Sequence, residues 1–122
     1  MKRKSILIVD DEQVMLEVFQ RILTRLGYRI AICNSWKSAL DVFSRKPFDL
    51  VLMDILIPPT NGYKVARKMR QLNPHQKIVM VTGLGAFTAS AYNASTKVQV
   101  NDILFKPFTY EKLKSVVNSI LI

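Results

Sequence analysis

Three acidic side chains follow two apolar runs in this chain, and together they have the chemistry of a cation site. Asp10 and Asp11 come directly after the apolar residues 5–9, and Asp54 comes directly after residues 50–53. Both runs are rich in Ile, Val and Leu, which is typical of strands buried on both faces. If the two strands are neighbours, three carboxylates meet in one small volume and repel each other unless a cation lies among them. A hard divalent ion with oxygen ligands, most simply Mg²⁺, fits that requirement.

Two further polar residues, Thr82 and Lys106, also follow apolar runs. In open sheets of parallel strands, ligands bind beyond the carboxyl ends of the strands, where the strand order reverses. We therefore expect Thr82 and Lys106 on the same side of the sheet as the carboxylates. Taken singly, each residue has an ordinary alternative: Asp10 or Asp11 as a helix N-cap, Asp54 as a turn residue, Thr82 as a strand end and Lys106 as a solvated lysine.

The rest of the chain alternates strand-like and helix-like segments. Apolar residues recur at helical spacing after each strand, least clearly in residues 87–96; in the third helix Val65, Ala66, Met69 and Leu72 are expected to face the sheet. This alternation predicts an α/β fold, a doubly wound five-stranded parallel sheet with helices on both faces and right-handed crossovers. The predicted strands are residues 5–9, 28–33, 50–54, 78–81 and 103–105.

Length and composition favour one domain that spans residues 1–122. The hydrophobic content of 49% is enough for a full core. No run approaches the roughly 20 apolar residues of a membrane span. The basic start at residues 1–4 precedes an apolar run that is too short for a secretory signal. We therefore expect a cytoplasmic protein without membrane association, in which Cys33, the only cysteine, forms no internal disulfide.

The net charge of +9 raises the question of a nucleic-acid partner. It arises from 18 basic and 9 acidic residues. The basic residues are scattered along the chain and are not interleaved with aromatic residues in a binding stripe. This pattern favours a solvated basic surface, and we do not expect this domain alone to bind nucleic acid.

Several motifs, in order along the chain, resemble those of the receiver domain of two-component response regulators. They are an acidic pair after the first strand, an aspartate that ends the third strand with Pro at +4 and Gly at +8, a hydroxyl residue that ends the fourth strand, and Lys-Pro after the fifth. The resemblance covers essentially the whole chain and implies the flavodoxin-like strand order 2-1-3-4-5. In this sequence the motifs are Asp10 and Asp11, Asp54 with Pro58 and Gly62, Thr82, and Lys106 with Pro107.

The resemblance assigns a role to each of these residues. Asp54 would accept a phosphoryl group from a histidine kinase, a phosphotransfer protein or a small phosphodonor, while Thr82 and Lys106 contact the phosphoryl oxygens. The phosphorylated domain would switch a downstream protein target. The resemblance is also compatible with a weak homodimer. The implied Mg²⁺ ligands are Asp11 and Asp54 directly, Asp10 largely through water, and the backbone carbonyl of Leu56.

One position that the family uses as a switch differs in this chain. Family members usually have Tyr or Phe three residues before the lysine of the fifth strand, where this chain has Ile103. In the family the aromatic ring turns inward as the Thr or Ser moves towards the phosphoryl group. We expect the signal to run instead through residues 83–85, which can move with Thr82, and to reach a partner at residues 87–96. The alternative is that Ile103 is a core residue. In that case the face formed by the fifth strand and the last helix, which the family usually uses for output, transmits the signal without a rotating aromatic ring.

Two leucines beside the predicted site indicate a long-lived phosphoryl group. Leu56 lies two residues after Asp54 and Leu84 two residues after Thr82, where the family usually places the side chains that flank the hydrolytic water. Neither leucine can hydrogen-bond a water molecule. A small phosphatase with an aspartyl-phosphate intermediate is the competing enzyme class, but it usually needs a second aspartate at the position of Leu56. We therefore expect slow self-dephosphorylation and no enzymatic turnover of other substrates.

Overall fold

Strands and helices alternate along the residues that the structure, a computed structural model, describes: 3–85, 88, 90–91 and 97–122. Each of the five predicted strands is observed, with ends within about one residue of the predicted ones, and two short strands between residues 56 and 61 were not predicted. The elements are β1 (Ser5–Val9), α1 (Gln13–Arg25), β2 (Arg29–Cys33), α2 (Trp36–Arg45), β3 (Leu50–Asp54), β4 (Leu56–Ile57), β5 (Thr60–Asn61), α3 (Gly62–Leu72), β6 (Ile78–Thr82), β7 (Asp102–Phe105) and α4 (Tyr110–Leu121).

Five of the strands form a parallel sheet in the order β2-β1-β3-β6-β7, and β4 and β5 form a separate antiparallel pair. This is the predicted 2-1-3-4-5 order. The connections reverse direction between β1 and β3, so a crevice opens beyond the carboxyl ends of these two strands. The register pairs Val9 with Met53. The next residue on each strand is Asp10 or Asp54, and the fold therefore brings the two carboxylates together.

Side chains of the strands alternate between two apolar clusters, one on each face of the sheet. On β1, Leu7 and Val9 pack with residues of α2 and α3, whereas Ile6 and Ile8 pack with residues of α1 and α4. Every residue of β3 is buried. The prediction of strands covered on both faces is confirmed, and burial of this apolar surface holds the strand ends in fixed positions.

Polar side chains mark where the helices begin. The N-cap side chains of α2, α3 and α4 are Ser35, Asn61 and Thr109, and each accepts a hydrogen bond from a backbone N–H in the first turn. Helix α1 differs, because its N-cap residue is Glu12 and no side chain caps it. The interpretation of one of the two preceding aspartates as the N-cap is therefore wrong. Asp10 Oδ1 instead accepts from the backbone N–H of Glu12 at 2.9 Å and orders the turn before the helix.

The expectation that Leu72 faces the sheet is also wrong. Its side chain is 63% exposed, whereas Val65, Ala66 and Met69 are buried. Leu72 is the last residue of α3, which ends before Asn73, so it lies beyond the part of the helix that packs on the sheet.

Two other expectations concern the helix predicted at residues 87–96 and the absence of a membrane span. Most of the helix predicted at residues 87–96 lies outside the described residues. Among the helices that are described, none combines the length and the apolar character needed to cross a bilayer.

Candidate functional site

Asp54 ends β3 at the carboxyl edge of the sheet, as predicted, with only 5% of its surface exposed. Its Oδ1 accepts a hydrogen bond from the backbone N–H of Leu56 at 3.2 Å. The following residue, Ile55, donates its backbone N–H to the carbonyl of Val81 at 3.1 Å. The backbone on both sides of the carboxylate is therefore held, and one of its two oxygens has a fixed donor.

Gly62 allows α3 to begin directly against the Asp54 backbone. Its N–H donates to the carbonyl of Ile55 at 2.8 Å. A Cβ at this position would collide with the backbone oxygen of Asp54 and would lie 2.8 Å from side-chain atoms of Met53 and Met80. Only glycine fits this close approach, which gives a physical reason for the glycine eight residues after the aspartate.

Lys106 reaches the carboxylates from the end of β7. Its Nζ lies 2.8 Å from Asp10 Oδ2, 3.5 Å from Glu12 Oε1 and 3.6 Å from Asp54 Oδ2. Its backbone N–H donates to the carbonyl of Thr82 at 2.7 Å, and its bond to the following proline is cis. The structure thus brings the predicted lysine together with two of the three predicted aspartates.

The site carries more negative charge than Lys106 balances. The pKa of Asp54 is raised to about 7, first by burial and then by the neighbouring charge of Asp10, while Lys106 and the Leu56 N–H act in the opposite direction. Burial by itself lowers the pKa of Lys106, but its hydrogen bond with Asp10 and the charges of Asp54, Asp10 and Glu12 outweigh this and leave the pKa raised. An additional cation would stabilise the ionised form of Asp54.

Three carboxylates have the geometry of a cation site. Asp10, Glu12 and Asp54 each offer one oxygen, and these oxygens lie within 4.8 Å of one another. An all-oxygen donor set of this kind suits a hard divalent ion, so the residues present fit Mg²⁺. Sequence reasoning did not include Glu12 among the ligands. The signal for it was present, because Glu12 is the third consecutive acid after the first strand.

Asp11 and Leu56, two of the predicted metal ligands, lie at the same site but outside that three-carboxylate cluster. Asp11 is exposed. Both residues line a cleft of about 350 Å³ that also includes Asp54, Pro58 and Gly83. The ligand roles of Asp11 and of the Leu56 carbonyl stay predictions.

Thr82 ends β6 and is fully buried beside the site. Its Oγ1 accepts a hydrogen bond from the backbone N–H of Leu84 at 2.9 Å. Leu84 and Ile103 are both partly buried and pack against the apolar cluster of α2 and α3. The hydroxyl is therefore tied to the turn that follows it, and the switch roles of Thr82 and Ile103 stay predictions.

With this arrangement in view, comparison with known proteins identifies the family. Residues 6–118 match the family model described as "Response regulator receiver domain". The chain belongs to this family. Its relatives include the receiver protein CpdR of Brucella abortus, which is 30% identical over 120 residues that make up 98% of each chain.

Other relatives of this receiver domain are longer. The probable transcriptional regulator ycf27 of Cyanidium caldarium is 29% identical over 98% of this chain but only 47% of its own length. The chain therefore spans about half the length of several curated relatives that it matches.

Solved structures share the fold of this receiver domain. A putative response regulator from Chloroflexus aurantiacus superposes with a TM-score of 0.89 at 30% identity and covers 98% of each chain. A CheY-like receiver domain protein from Methanospirillum hungatei has a TM-score of 0.87 at 28% identity, over 97% of this chain and 93% of its own.

Proposed function

We propose that this receiver domain accepts a phosphoryl group on Asp54 and thereby switches a protein partner in the cytoplasm. The phosphoryl donor would be a histidine kinase, a phosphotransfer protein or a small phosphodonor. The observation that carries the proposal is the position of the Asp54 carboxylate, which faces a cleft at a strand end with Lys106 Nζ 3.6 Å away. The domain would lose the phosphoryl group slowly and would turn over no other substrate.

The two oxygens of Asp54 have different surroundings. Oδ1 accepts from the Leu56 N–H, whereas Oδ2 faces Lys106. Oδ2 would therefore attack phosphorus, and the bond from phosphorus to the leaving oxygen or nitrogen of the donor would break as the new bond forms. Attack needs the ionised carboxylate. Because the pKa of Asp54 is raised to about 7, positive charge near Oδ2 promotes the reactive form.

A divalent ion and two side chains would supply the remaining stabilisation. When bound, Mg²⁺ neutralises charge on the phosphoryl oxygens. Asp10 and Asp54 would hold it, together with Asp11 or Glu12 and the carbonyl of Leu56. Lys106, now paired with Asp10, lies within reach of a phosphoryl oxygen on Asp54, and the Thr82 hydroxyl would donate to another. Phosphoryl transfer depends mainly on such positioning and charge neutralisation.

Labelling by a small phosphodonor tests the proposal. With acetyl phosphate and Mg²⁺, intact-mass analysis should show one added phosphoryl group per chain. Asp54→Asn should abolish the addition. Asp41→Asn is the matched control, because Asp41 is an exposed carboxylate on α2 that pairs with Arg45 at 3.2 Å. Equal labelling of the Asp54→Asn variant and the parent would contradict the assignment.

Metal dependence is tested in the same assay. Labelling should vanish in EDTA and return with Mg²⁺. Asp11→Ala should weaken labelling more than Asp10→Ala, if Asp11 is the direct ligand and Asp10 acts through water. Labelling at full rate without any divalent ion would rule out the metal site while leaving the phosphorylation of Asp54 in place. If Glu12→Gln reduces labelling and Asp11→Ala does not, Glu12 rather than Asp11 completes the ligand set.

A further inference from the structure

A second cleft lies at the opposite edge of the sheet, at the amino ends of the strands. Its volume is about 420 Å³. Three separate segments form it: residues 3–5 at the start of β1, residues 29–31 at the start of β2, and residues 46–49 in the loop between α2 and β3. Because a strand advances roughly 3.3 Å per residue, Asp49, which directly precedes β3, and Asp54, which ends it, lie roughly 16 Å apart. This cleft is therefore separate from the candidate phosphorylation site.

The amino-edge cleft, as we call these three segments, is strongly basic. Arg3, Lys4, Arg29 and Lys46 line it, against a single carboxylate, Asp49. No described residue forms an ion pair with any of the four cations. The sequence shows basic residues scattered over the chain, but the fold gathers these four around one concavity. Their mutual repulsion is relieved by an anion that binds among them.

The one carboxylate of the cleft is already engaged by the protein. Asp49 Oδ2 accepts from the backbone N–H of Ser5 at 2.8 Å and lies 3.3 Å from its hydroxyl. These bonds tie the loop before β3 to the start of β1. Asp49 therefore stabilises the wall of the cleft, and its single negative charge leaves the four cations in excess.

Apolar residues also line the cleft, and together we call them its floor. Ile30 and Ala31 are partly buried on the edge strand β2, and Phe48 is 7% exposed. Lys46 Nζ lies 5.5 Å from the centre of the Phe48 ring, a cation–π distance that holds this ammonium at the wall. A small inorganic anion would leave this floor uncovered, whereas an organic anion contacts the floor and the rim together.

We propose that the amino-edge cleft binds an organic polyanion of nucleotide size. Clefts that hold small molecules have volumes of roughly 300–1,000 Å³ and combine apolar walls with a few charged groups, and this cleft has both features. The four cations would contact the phosphate groups, and the apolar floor would contact the base or sugar. The acidic site at Asp54 and this basic cleft would then bind different ligands at the two ends of the same strands.

Binding of ATP, followed by amide shifts in two-dimensional NMR with EDTA present, tests the proposal. EDTA removes the divalent ions that could hold ATP at the acidic site. Shifts should saturate with a Kd below about 1 mM and should map to residues 3–5, 29–31 and 46–49 rather than 54–58. Adenosine, which lacks the charge, and tripolyphosphate, which lacks the apolar part, should both bind more weakly.

A charge-matched pair of variants decides whether the cleft itself is responsible. Arg29→Gln with Lys46→Gln should weaken ATP binding about fivefold or more, since each exposed ion pair contributes modestly. Arg21→Gln with Arg25→Gln removes the same charge from the exposed face of α1 and should leave binding unchanged. Both double variants should be labelled by acetyl phosphate as well as the parent, which separates this proposal from the proposed function.

Four results would overturn the proposal. One is the absence of saturable shifts with ATP. The second is an equal loss of affinity in both double variants, which indicates net charge alone. The third is tripolyphosphate binding as tightly as ATP, which excludes a role for the floor. The fourth is a short DNA duplex or an acidic peptide that binds these residues more tightly than ATP, which identifies the surface as a macromolecular contact.

Discussion

Lys106 and Asp10 form the shortest ion pair among the described residues, with Nζ 2.8 Å from Oδ2. The Asp10 side chain is 1% exposed and that of Lys106 is 15% exposed, so this contact lies largely out of water. The same ammonium is 3.6 Å from Asp54. Lys106 therefore balances buried charge in the unphosphorylated protein, and its three N–H donors allow it to contact a phosphoryl oxygen on Asp54 as well.

Removing the ammonium should destabilise the protein in the absence of metal. In EDTA we expect Lys106→Gln to lower the free energy of unfolding by about 3 kcal/mol, because the buried Asp10 loses its partner. Mg²⁺ should recover more stability in the variant than in the parent. Urea unfolding with and without Mg²⁺ measures both effects, and Lys112→Gln, at an exposed position of α4, is the control. A variant as stable as the parent in EDTA would show that this pair does not balance the charge of Asp10.

Stability should depend on pH through Asp54. Its pKa is about 7 in the folded protein, against 3.8 for an unperturbed aspartate, so the folded protein retains a proton that the unfolded chain has lost between about pH 4 and about pH 7. Stability should therefore fall as the pH rises through this window. In EDTA near pH 8, Asp54→Asn should be more stable than the parent by on the order of 3 kcal/mol. Identical pH profiles for the two proteins would show that Asp54 does not titrate in this window.

A methyl group at position 62 should displace the backbone of Asp54 and thereby disturb the site. Gly62→Ala should cost about 1–3 kcal/mol in unfolding free energy, because the new Cβ meets the Asp54 backbone. It should also slow labelling by acetyl phosphate, since the carboxylate shifts. Gly85→Ala is the matched control, because a Cβ there meets no atom of the described residues within 4 Å. Equal stability and labelling of the two variants would mean that the close approach is unimportant.

Hydrolysis of the phosphoryl group should be slow because Leu56 and Leu84 occupy the two positions where receiver domains usually place the side chains that flank the hydrolytic water. Leu56 is 46% exposed and lines the cleft with Asp54, so it competes with a water molecule for that space. Leu56→Asn with Leu84→Glu should speed the loss of phosphate, which intact-mass analysis over time would measure. Leu72→Asn changes another exposed leucine far from the site and should have no effect. Unchanged or slower decay in the double variant would count against this explanation.

Phosphorylation should change the turn after β6. In the unphosphorylated protein Thr82 Oγ1 accepts from the Leu84 N–H at 2.9 Å, and a threonine that moves to a phosphoryl oxygen strains or breaks this bond. Amide exchange with and without beryllofluoride, a phosphoryl mimic, should therefore differ at residues 83–85. If exchange changes only on β7 and α4, this prediction is wrong. Ile103 is then a core residue, and the face formed by β7 and α4 transmits the signal.

The sequence by itself determined the fold class through patterns that act locally, whereas the strand order was predicted from the resemblance of its motifs to those of receiver domains. Continuous apolar runs such as residues 50–53 require burial on both faces, and helices at period 3.6 supply the cover. Carboxyl ends of parallel strands lie at the same edge of a sheet, so the sequence predicts that Asp10, Asp54 and Lys106 lie close together.

Only the tertiary structure decided how these groups pair and where the excess positive charge lies. Lys106 and Asp10 are 96 positions apart, and only the folded structure decides that the lysine lies 2.8 Å from Asp10 but 3.6 Å from Asp54. Glu12 joins the cluster because it is the N-cap residue of α1 and lies in the short connection between β1 and that helix. Arg3, Arg29 and Lys46 come from three segments that meet only when the strands pair, because side-chain charge carries no local pattern that predicts long-range contact.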